Sequence, residues 1–131
     1  METLRRIGMA GYNIDIREVQ WVALRTFYFP DVTDEVYMEG YLSHPVEPWD
    51  IPYRALLPRY DECQNLIVPT CISASTIAYA SFRMEPQYMI AGHAAGVAAA
   101  IASRKELPVQ RVPIEELQRI LADEGQIIEL P

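Results

Sequence analysis

The sequence is poor in positive charge. Its 131 residues include 11 Lys and Arg against 18 Asp and Glu, which gives a formal net charge of -7. Basic residues do not form a run, since Arg5-Arg6 and Arg104-Lys105 are isolated pairs. Because binding to a phosphate backbone needs a basic face, this balance argues against a nucleic acid as partner.

Cysteine and histidine are scarce as well. The chain has two of each, Cys63 and Cys71, and His44 and His93, without the regular spacing of metal ligands. They therefore do not predict a metal site. Two free thiols are typical of a protein from a reducing compartment, so we expect a cytoplasmic location.

Long apolar runs are also missing. The opening residues, METLRR, contain no apolar stretch of the kind that secretory signal peptides carry. The segment 89–103 is mostly Ala and Gly and is interrupted by His93, so we do not expect it to span a membrane. A Gly-rich phosphate loop between a strand and a helix, which marks a dinucleotide-binding unit, is absent from the sequence.

The patterns that are present predict a single α+β domain over residues 1–131, with strands followed by two helices. Alternating residues predict a hairpin over 18–42. A third extended piece is expected at 51–57. The short apolar run 66–68 suits a strand that is covered on both faces.

Proline and glycine mark the limits of the two helices. Pro86 fits the first helical position with Glu85 as the cap, and this helix can continue to about Arg104. The second helix begins at Pro113 and stops at Gly125. It places four apolar residues on one face: Ile114, Leu117, Ile120 and Leu121.

The first helix is unusual because RMEPQYMIAGHAAGVAAA, which contains its start, has few bulky side chains. Gly92 and Gly96 each cost about 1 kcal/mol relative to Ala inside a helix, so they indicate a close approach to the backbone. Either tight packing in the core or a bound ligand explains this. At the helix start, Arg83 and the unpaired amides form either a cap with a salt bridge to Glu85, for which Arg54 is an alternative partner, or a cradle for an electron-rich group.

Three blocks of the chain resemble the C-terminal portion of FAD-dependent oxidoreductases with the glutathione-reductase type of flavin fold. They are GYNID (11–15), IPYRALLP (51–58), and a long block (62–100) that runs from ECQNLIVPTCISAS to YASFRMEPQYMIAGHAAGVAAA. The tail IEELQRILADEGQII also resembles the end of that family. The resemblance covers residues 7–128.

The resemblance implies FAD as the cofactor and hydride transfer on a small organic or carbohydrate-like substrate. Residues 1–60 would belong to the substrate-facing sheet, and 61–131 would supply a return strand, 66–68, and the helices of the FAD domain. The helix at Pro86 would aim its amides at the pyrimidine edge of the isoalloxazine. The resemblance also implies the catalytic residues Arg83, Arg54 and Tyr53 and the cofactor contacts Cys71, Ser73, Arg83, Met84, Glu85, Gln87, Tyr88 and Met89.

The chain departs from the family pattern in two ways. Thr76 and Arg17 stand where the resemblance leads us to expect histidines, so two proton-transfer groups are missing. The nucleotide-binding βαβ unit is missing too, and we expect a C-terminal fragment that is inactive alone. Two other interpretations stay open: a non-catalytic oligomerising or binding module derived from this fold, and a subunit that completes a flavin site with another chain.

Other residues have both a functional and a structural interpretation. Cys71 is either a redox group near the flavin or a small buried hydrophobe, and His93 is expected to be a packed or surface residue. Tyr12, Asn13 and Asp15 form a turn or a pocket wall. The aromatic residues of the first predicted strand are expected in the core: Trp21, Phe27, Tyr28 and Phe29.

We predict that the chain forms a dimer or a higher oligomer. A piece of a larger enzyme leaves apolar surface uncovered, and self-association hides that surface in place of the missing FAD-binding portion. Size-exclusion chromatography with light scattering measures the molar mass. A monomer at every concentration would contradict the prediction.

Overall fold

The strands pair two by two. The computed structural model describes residues 5–16, 20–28 and 31–130, and in 20–39 it describes side chains only for Val22, Ala23 and Val36. These residues contain three antiparallel sheets of two strands each, in which β1 pairs with β6, β2 with β5 and β3 with β4. The strands are β1 (Arg6–Ala10), β2 (Ile14–Ile16), β3 (Gln20–Tyr28), β4 (Asp31–Glu39), β5 (Leu42–His44) and β6 (Trp49–Pro52).

The three strand pairs are nested inside one another. Gln20 faces Glu39 in the inner pair, Ile14 faces His44 in the next, and Ala10 faces Trp49 in the outer one. The six described strands therefore pair as three nested antiparallel hairpin arms. The predicted hairpin over 18–42 is confirmed by β3 and β4. Its aromatic residues, expected in the core, lie outside the described side chains: Trp21, Phe27, Tyr28 and Phe29.

Three helices follow the strands and complete an α+β fold, as predicted. Helix α1 was not predicted, and the Ser75 side chain caps it by accepting a hydrogen bond from the amide of Ala78. Helix α2 begins one residue earlier than expected, with Met84 as its cap, and α3 has the expected position. The helices are α1 (Thr76–Phe82), α2 (Glu85–Lys105) and α3 (Ile114–Asp123).

Two strand predictions need correction. The extended piece at 51–57 ends at Pro52, and Tyr53–Leu56 form a 3₁₀ turn. The apolar run 66–68 is not a strand, so the predicted return strand is wrong. Its Val68 amide donates a backbone hydrogen bond to the Leu56 carbonyl at 2.8 Å. This bond joins the segment to the end of the 3₁₀ turn, and the segment does not pair with a strand.

The core lies between the β1–β6 sheet, α2 and α3. Ile7 and Ile51 come from the sheet, and Leu117 and Leu121 from α3, and all four are fully buried. The predicted apolar face of α3 is thus confirmed. Helix α2 contributes small residues to this core, and three of them have no exposed surface: Ala91, Ala94 and Ala98. Short side chains let the helix pack closely against the sheet.

The glycines of α2 lie on a different side from these alanines. A Cβ atom built on Gly92 or Gly96 would meet nothing within 4 Å, whereas one built on Gly8 in β1 would overlap the Ile90 side chain. The close approach inside this chain therefore occurs at Gly8. The backbone of α2 at both of its own glycines is open in the described structure.

Among the described residues, no helix is both long enough and apolar enough to cross a membrane.

These surroundings predict opposite effects for two Gly→Ala substitutions. Gly8→Ala should lower the free energy of unfolding by about 1–3 kcal/mol, because Ile90 has to shift. Gly96→Ala should raise it by up to about 1 kcal/mol, because alanine favours the helix and meets no neighbour. Urea unfolding followed by circular dichroism measures both. Destabilisation by Gly96→Ala would show that another chain covers this face.

Candidate functional site

The start of α2 is the first feature of the candidate site. Met84 has an extended backbone and no side chain caps the helix, while the first amide to pair within the helix is that of Tyr88, which donates to the Met84 carbonyl at 3.2 Å. Pro86 has no amide hydrogen, so Glu85 and Gln87 carry the open N–H groups of the first turn. The outward residues of this turn are exposed, and Met89 keeps 72% of its surface.

Gln87 adds a polar atom to the same turn. Its residue is 5% exposed, and its Oε1 accepts no hydrogen bond within the described part of the chain. Most buried polar atoms in folded proteins have a partner, so an unpaired one calls for an explanation. The first turn of α2 therefore combines open amides with an unused acceptor.

Arg83 precedes this turn and is held by a buried carboxylate. Its Nη2 donates to the Asp15 side chain at 2.9 Å and to the Asp15 carbonyl at 3.0 Å. The Asp15 side chain is 6% exposed and that of Arg83 is 38% exposed. The suggested pairing of Arg83 with Glu85 is thus replaced by pairing with Asp15. Two of the sequence blocks, 11–15 and 62–100, meet at this contact.

A second polar contact ties α1 to the strands beside Arg83. The Ser81 hydroxyl donates to the Tyr12 carbonyl at 2.5 Å and accepts from the Trp49 indole at 3.0 Å. Tyr12 also donates to the Asp15 carboxylate at 3.4 Å. Asp15 lies in β2, and together these contacts make residues 12–15 a wall beside Arg83.

Aromatic rings support the other side of the helix start. Tyr88 packs edge-on against buried Phe82, with ring centroids 5.4 Å apart. Its hydroxyl lies 3.0 Å from that of Tyr79, which also donates to the Thr70 carbonyl at 3.3 Å. The hydrogen bond with Tyr79 raises the pKa of Tyr88 to about 12. Tyr88 therefore stays neutral near pH 7 and links α1, α2 and the loop at Thr70.

The structure brings most of the predicted cofactor contacts together. Residues 83–89 are consecutive at the start of α2, where Glu85, Pro86 and Met89 are exposed and Gln87 is buried. The loop with Cys71 and Ser73 is connected to this turn through Tyr79. Cys71 is exposed and its thiol is free, so the interpretation as a buried hydrophobe is wrong. Cys63 is also a free thiol, as expected.

Tyr53 and Arg54, predicted as catalytic, lie in the 3₁₀ turn after β6. Tyr53 is 3% exposed and its hydroxyl donates to the Val109 carbonyl at 2.9 Å, while burial raises its pKa to about 12. Arg54 is exposed and lines a cleft together with Arg5 and Arg111. The structure thus gives Tyr53 a buried structural contact and directs Arg54 into a basic cleft.

His93 connects α2 to the segment after α3. Its Nε2 lies 2.6 Å from the Glu124 carboxylate, and its Nδ1 lies 2.6 Å from the Gln126 side-chain oxygen. Hydrogen bonding to Glu124, and then to Gln126, raises the pKa of His93. The residue is part of a surface polar cluster that holds the C-terminal segment, in agreement with the expectation of a packed or surface histidine.

Sequence reasoning missed the role of Asp15. The residue belongs to the GYNID block, and its separation of 68 positions from Arg83 hides their contact in the sequence. Metal binding has no support in the described residues, where no group of three or more His, Cys, Asp or Glu side chains could hold an ion.

Comparison with known proteins gives one family. A family model described as FAD dependent oxidoreductase matches residues 3–121. No curated protein and no solved structure matches the chain.

We predict that the contribution of His93 to stability depends on pH. Because the folded state raises the pKa of His93 above its ordinary value of 6.5, folding favours the protonated form. This stabilisation is fully present below the unfolded pKa and is lost as the pH rises through the folded pKa. Urea unfolding of the wild type and His93→Gln over about pH 5 to 9 measures it. A pH-independent difference between the two proteins would contradict the prediction.

Proposed function

The chain belongs to the FAD dependent oxidoreductase family, and we propose that it supplies the part of a flavin site that contacts one edge of the isoalloxazine. In this proposal it acts as the C-terminal portion of such an enzyme, together with a nucleotide-binding portion that carries the phosphate loop. The single observation that carries the proposal is the exposed, uncapped start of α2 beside Arg83.

The described residues fit one edge of this cofactor. The amides of Glu85 and Gln87 are donors that the helix does not use, and the helix dipole adds positive potential at the same place. Arg83 brings a fixed cation, because Asp15 holds its guanidinium. FAD, when bound, supplies the ring system that exchanges a hydride with the substrate. Preorganised donors stabilise the negative charge that its pyrimidine edge gains on reduction.

The neighbouring residues extend this surface. Met89 offers an exposed apolar contact on the outer side of the first turn. Met84, Tyr88, Cys71 and Ser73 complete the proposed cofactor contacts, and the link from Tyr79 to Thr70 holds their loop near the helix start.

The substrate would be a small organic or carbohydrate-like molecule, with Arg83 as the residue that contacts it. Tyr53 has a supporting role in this proposal instead of a catalytic one. Its hydroxyl already donates to the Val109 carbonyl, and a phenol with a pKa of about 12 does not give up its proton near pH 7.

Two alternatives share the same surface. A subunit that completes a flavin site with another chain would bind FAD only when that other chain is present. A non-catalytic oligomerising module derived from this fold would bind no FAD in either condition. The absence of the two expected histidines, at Thr76 and Arg17, favours the module over a complete catalytic site.

Binding of FAD tests the proposal. After mixing with FAD and desalting, the purified chain should retain an absorption band near about 450 nm and unfold at a higher temperature. Arg83→Gln removes the fixed cation and should weaken FAD binding by about tenfold, equivalent to a charged hydrogen bond. Arg119→Gln removes an exposed cation of α3 and should leave binding unchanged.

A second variant separates binding from folding. Met89→Glu places a negative charge at an exposed position of the first turn, so it should weaken FAD binding without changing the circular dichroism spectrum. Retention of FAD only with a second chain that carries the phosphate loop would favour the subunit. No retention in either condition would overturn the flavin proposal and favour the module.

A further inference from the structure

A basic cleft lies outside the surface proposed for the flavin. It has a volume of about 730 Å³ and is formed by the 3₁₀ turn after β6, the loop before α3 and the residue that precedes β1. Three arginines line it: Arg5, Arg54 and Arg111. We propose that this cleft binds a small phosphate-bearing anion, a function that goes beyond the proposed flavin site.

The charge distribution of the chain supports this assignment. Outside the cleft, five of the described cations form ion pairs with carboxylates: Arg6 with Asp50 and Glu129, Arg59 with Asp61, Arg83 with Asp15, Lys105 with Glu116, and Arg119 with Asp123. Arg104, at the end of α2, forms no ion pair with a described residue, but it stands beside the paired Lys105 and not in a cleft. In the cleft, Arg5 and Arg111 form no ion pair with any described residue. Glu115 is the one carboxylate among the described residues that line it. A chain with a net charge of -7 thus keeps a local excess of positive charge at this place.

Hydrogen bonds of Val109 and Gln110 fix the turn that carries Arg111. The backbone of Val109–Arg111 forms a 3₁₀ turn, and the buried Tyr53 hydroxyl donates to the Val109 carbonyl at 2.9 Å. The Gln110 side-chain amide donates to the carbonyls of Pro58 at 3.1 Å and Cys63 at 2.7 Å. These contacts fix the turn to the chain around residues 58–63. They give the buried Tyr53 and the half-buried Gln110 side chains a role that the flavin proposal leaves unexplained.

The guanidinium of Arg111 is oriented as well. It lies over the ring of Tyr60, with its central carbon 5.3 Å from the ring centroid. Stacking on one face of a planar guanidinium leaves its N–H edge available, and that edge donates two parallel hydrogen bonds to a phosphate. Arg111 is therefore prepared to bind an oxyanion before the ligand arrives.

The start of α3 borders the same cleft and adds weaker donors. Pro113 is its cap and provides no side-chain hydrogen bond, and both Pro113 and Ile114 line the cleft. The open amides of the first turn and the helix dipole favour an anion there. They act together with the arginines and would not define a site alone.

The size of the cleft and the charge of the chain limit the ligand. A volume of about 730 Å³ accommodates a small molecule. The acidic remainder of the surface repels an extended polyanion such as a nucleic acid, because the chain carries a net charge of -7. A mononucleotide-sized phosphate ester or a short polyphosphate satisfies both limits.

Isothermal titration calorimetry of the full chain with tripolyphosphate, and separately with citrate, tests the proposal. Tripolyphosphate should bind saturably with one site. Arg5→Gln and Arg111→Gln should each weaken it by about fivefold or more, as expected for charge-assisted contacts. Glu115→Gln should strengthen it, because it removes the carboxylate from the cleft. Arg104→Gln, which removes an exposed cation from the end of α2, serves as the matched control and should change affinity by less than about twofold.

Other outcomes would contradict the proposal that the cleft binds a phosphate-bearing anion. The proposal is wrong if tripolyphosphate shows no saturable binding, or if Arg104→Gln weakens binding as much as Arg5→Gln does. Equal affinity for citrate would replace phosphate with a polycarboxylate as the ligand class. Since Arg111 also stacks on Tyr60, its variant is checked by circular dichroism, and Arg5→Gln decides the question if Arg111→Gln unfolds. FAD affinity measured on Arg5→Gln should be unchanged, so failure here is separate from failure of the flavin proposal.

Discussion

The close packing of α2 against the β1–β6 sheet is the constraint on which the rest of the structure depends. Ala91, Ala94 and Ala98 are fully buried, and Gly8 of β1 leaves just enough room for Ile90. Small side chains on both elements bring the helix near the sheet, where dispersion contacts are dense. The position of α2 in turn determines where its first turn lies. It also positions the segment after α3, because His93 of α2 contacts Glu124 and Gln126 there.

The two sides of α2 have different surroundings. Its inner side explains the alanines, because the chain packs its own core against them. On its outer side, Cβ atoms built on Gly92 and Gly96 meet nothing within 4 Å among the described residues, so packing within the described structure does not explain these helix-weakening glycines. The interpretation as a packed core helix is confirmed for the inner side, and the approach of another body to the outer side stays a prediction.

Much of the secondary structure was predictable from local patterns. Alternation predicted the hairpin, and Pro86 and Gly125 located the limits of the helices to within a residue or two. The prediction failed at 66–68, because a three-residue apolar run has the same appearance in a strand and in an irregular segment that packs against the core. Helix α1 was missed because TIAYASF shows no clear apolar period over its seven residues. The candidate cofactor contacts 83–89 are consecutive in the sequence, so local reasoning could group them, whereas the partner of Arg83 could not be predicted from the sequence.

By itself, the sequence determined the charge balance, the small-residue composition of α2 and the blocks that resemble a flavoprotein family, because each depends on residues that are neighbours in the chain. Tertiary structure alone decided which charged groups lie close together. Arg83 meets Asp15 across 68 positions. Arg5, Arg54 and Arg111 come from three distant segments to line one cleft. These contacts depend on how the helices and strands pack against one another. The periodicity of a sequence shows which residues share a face of one element, but it does not show which elements are neighbours.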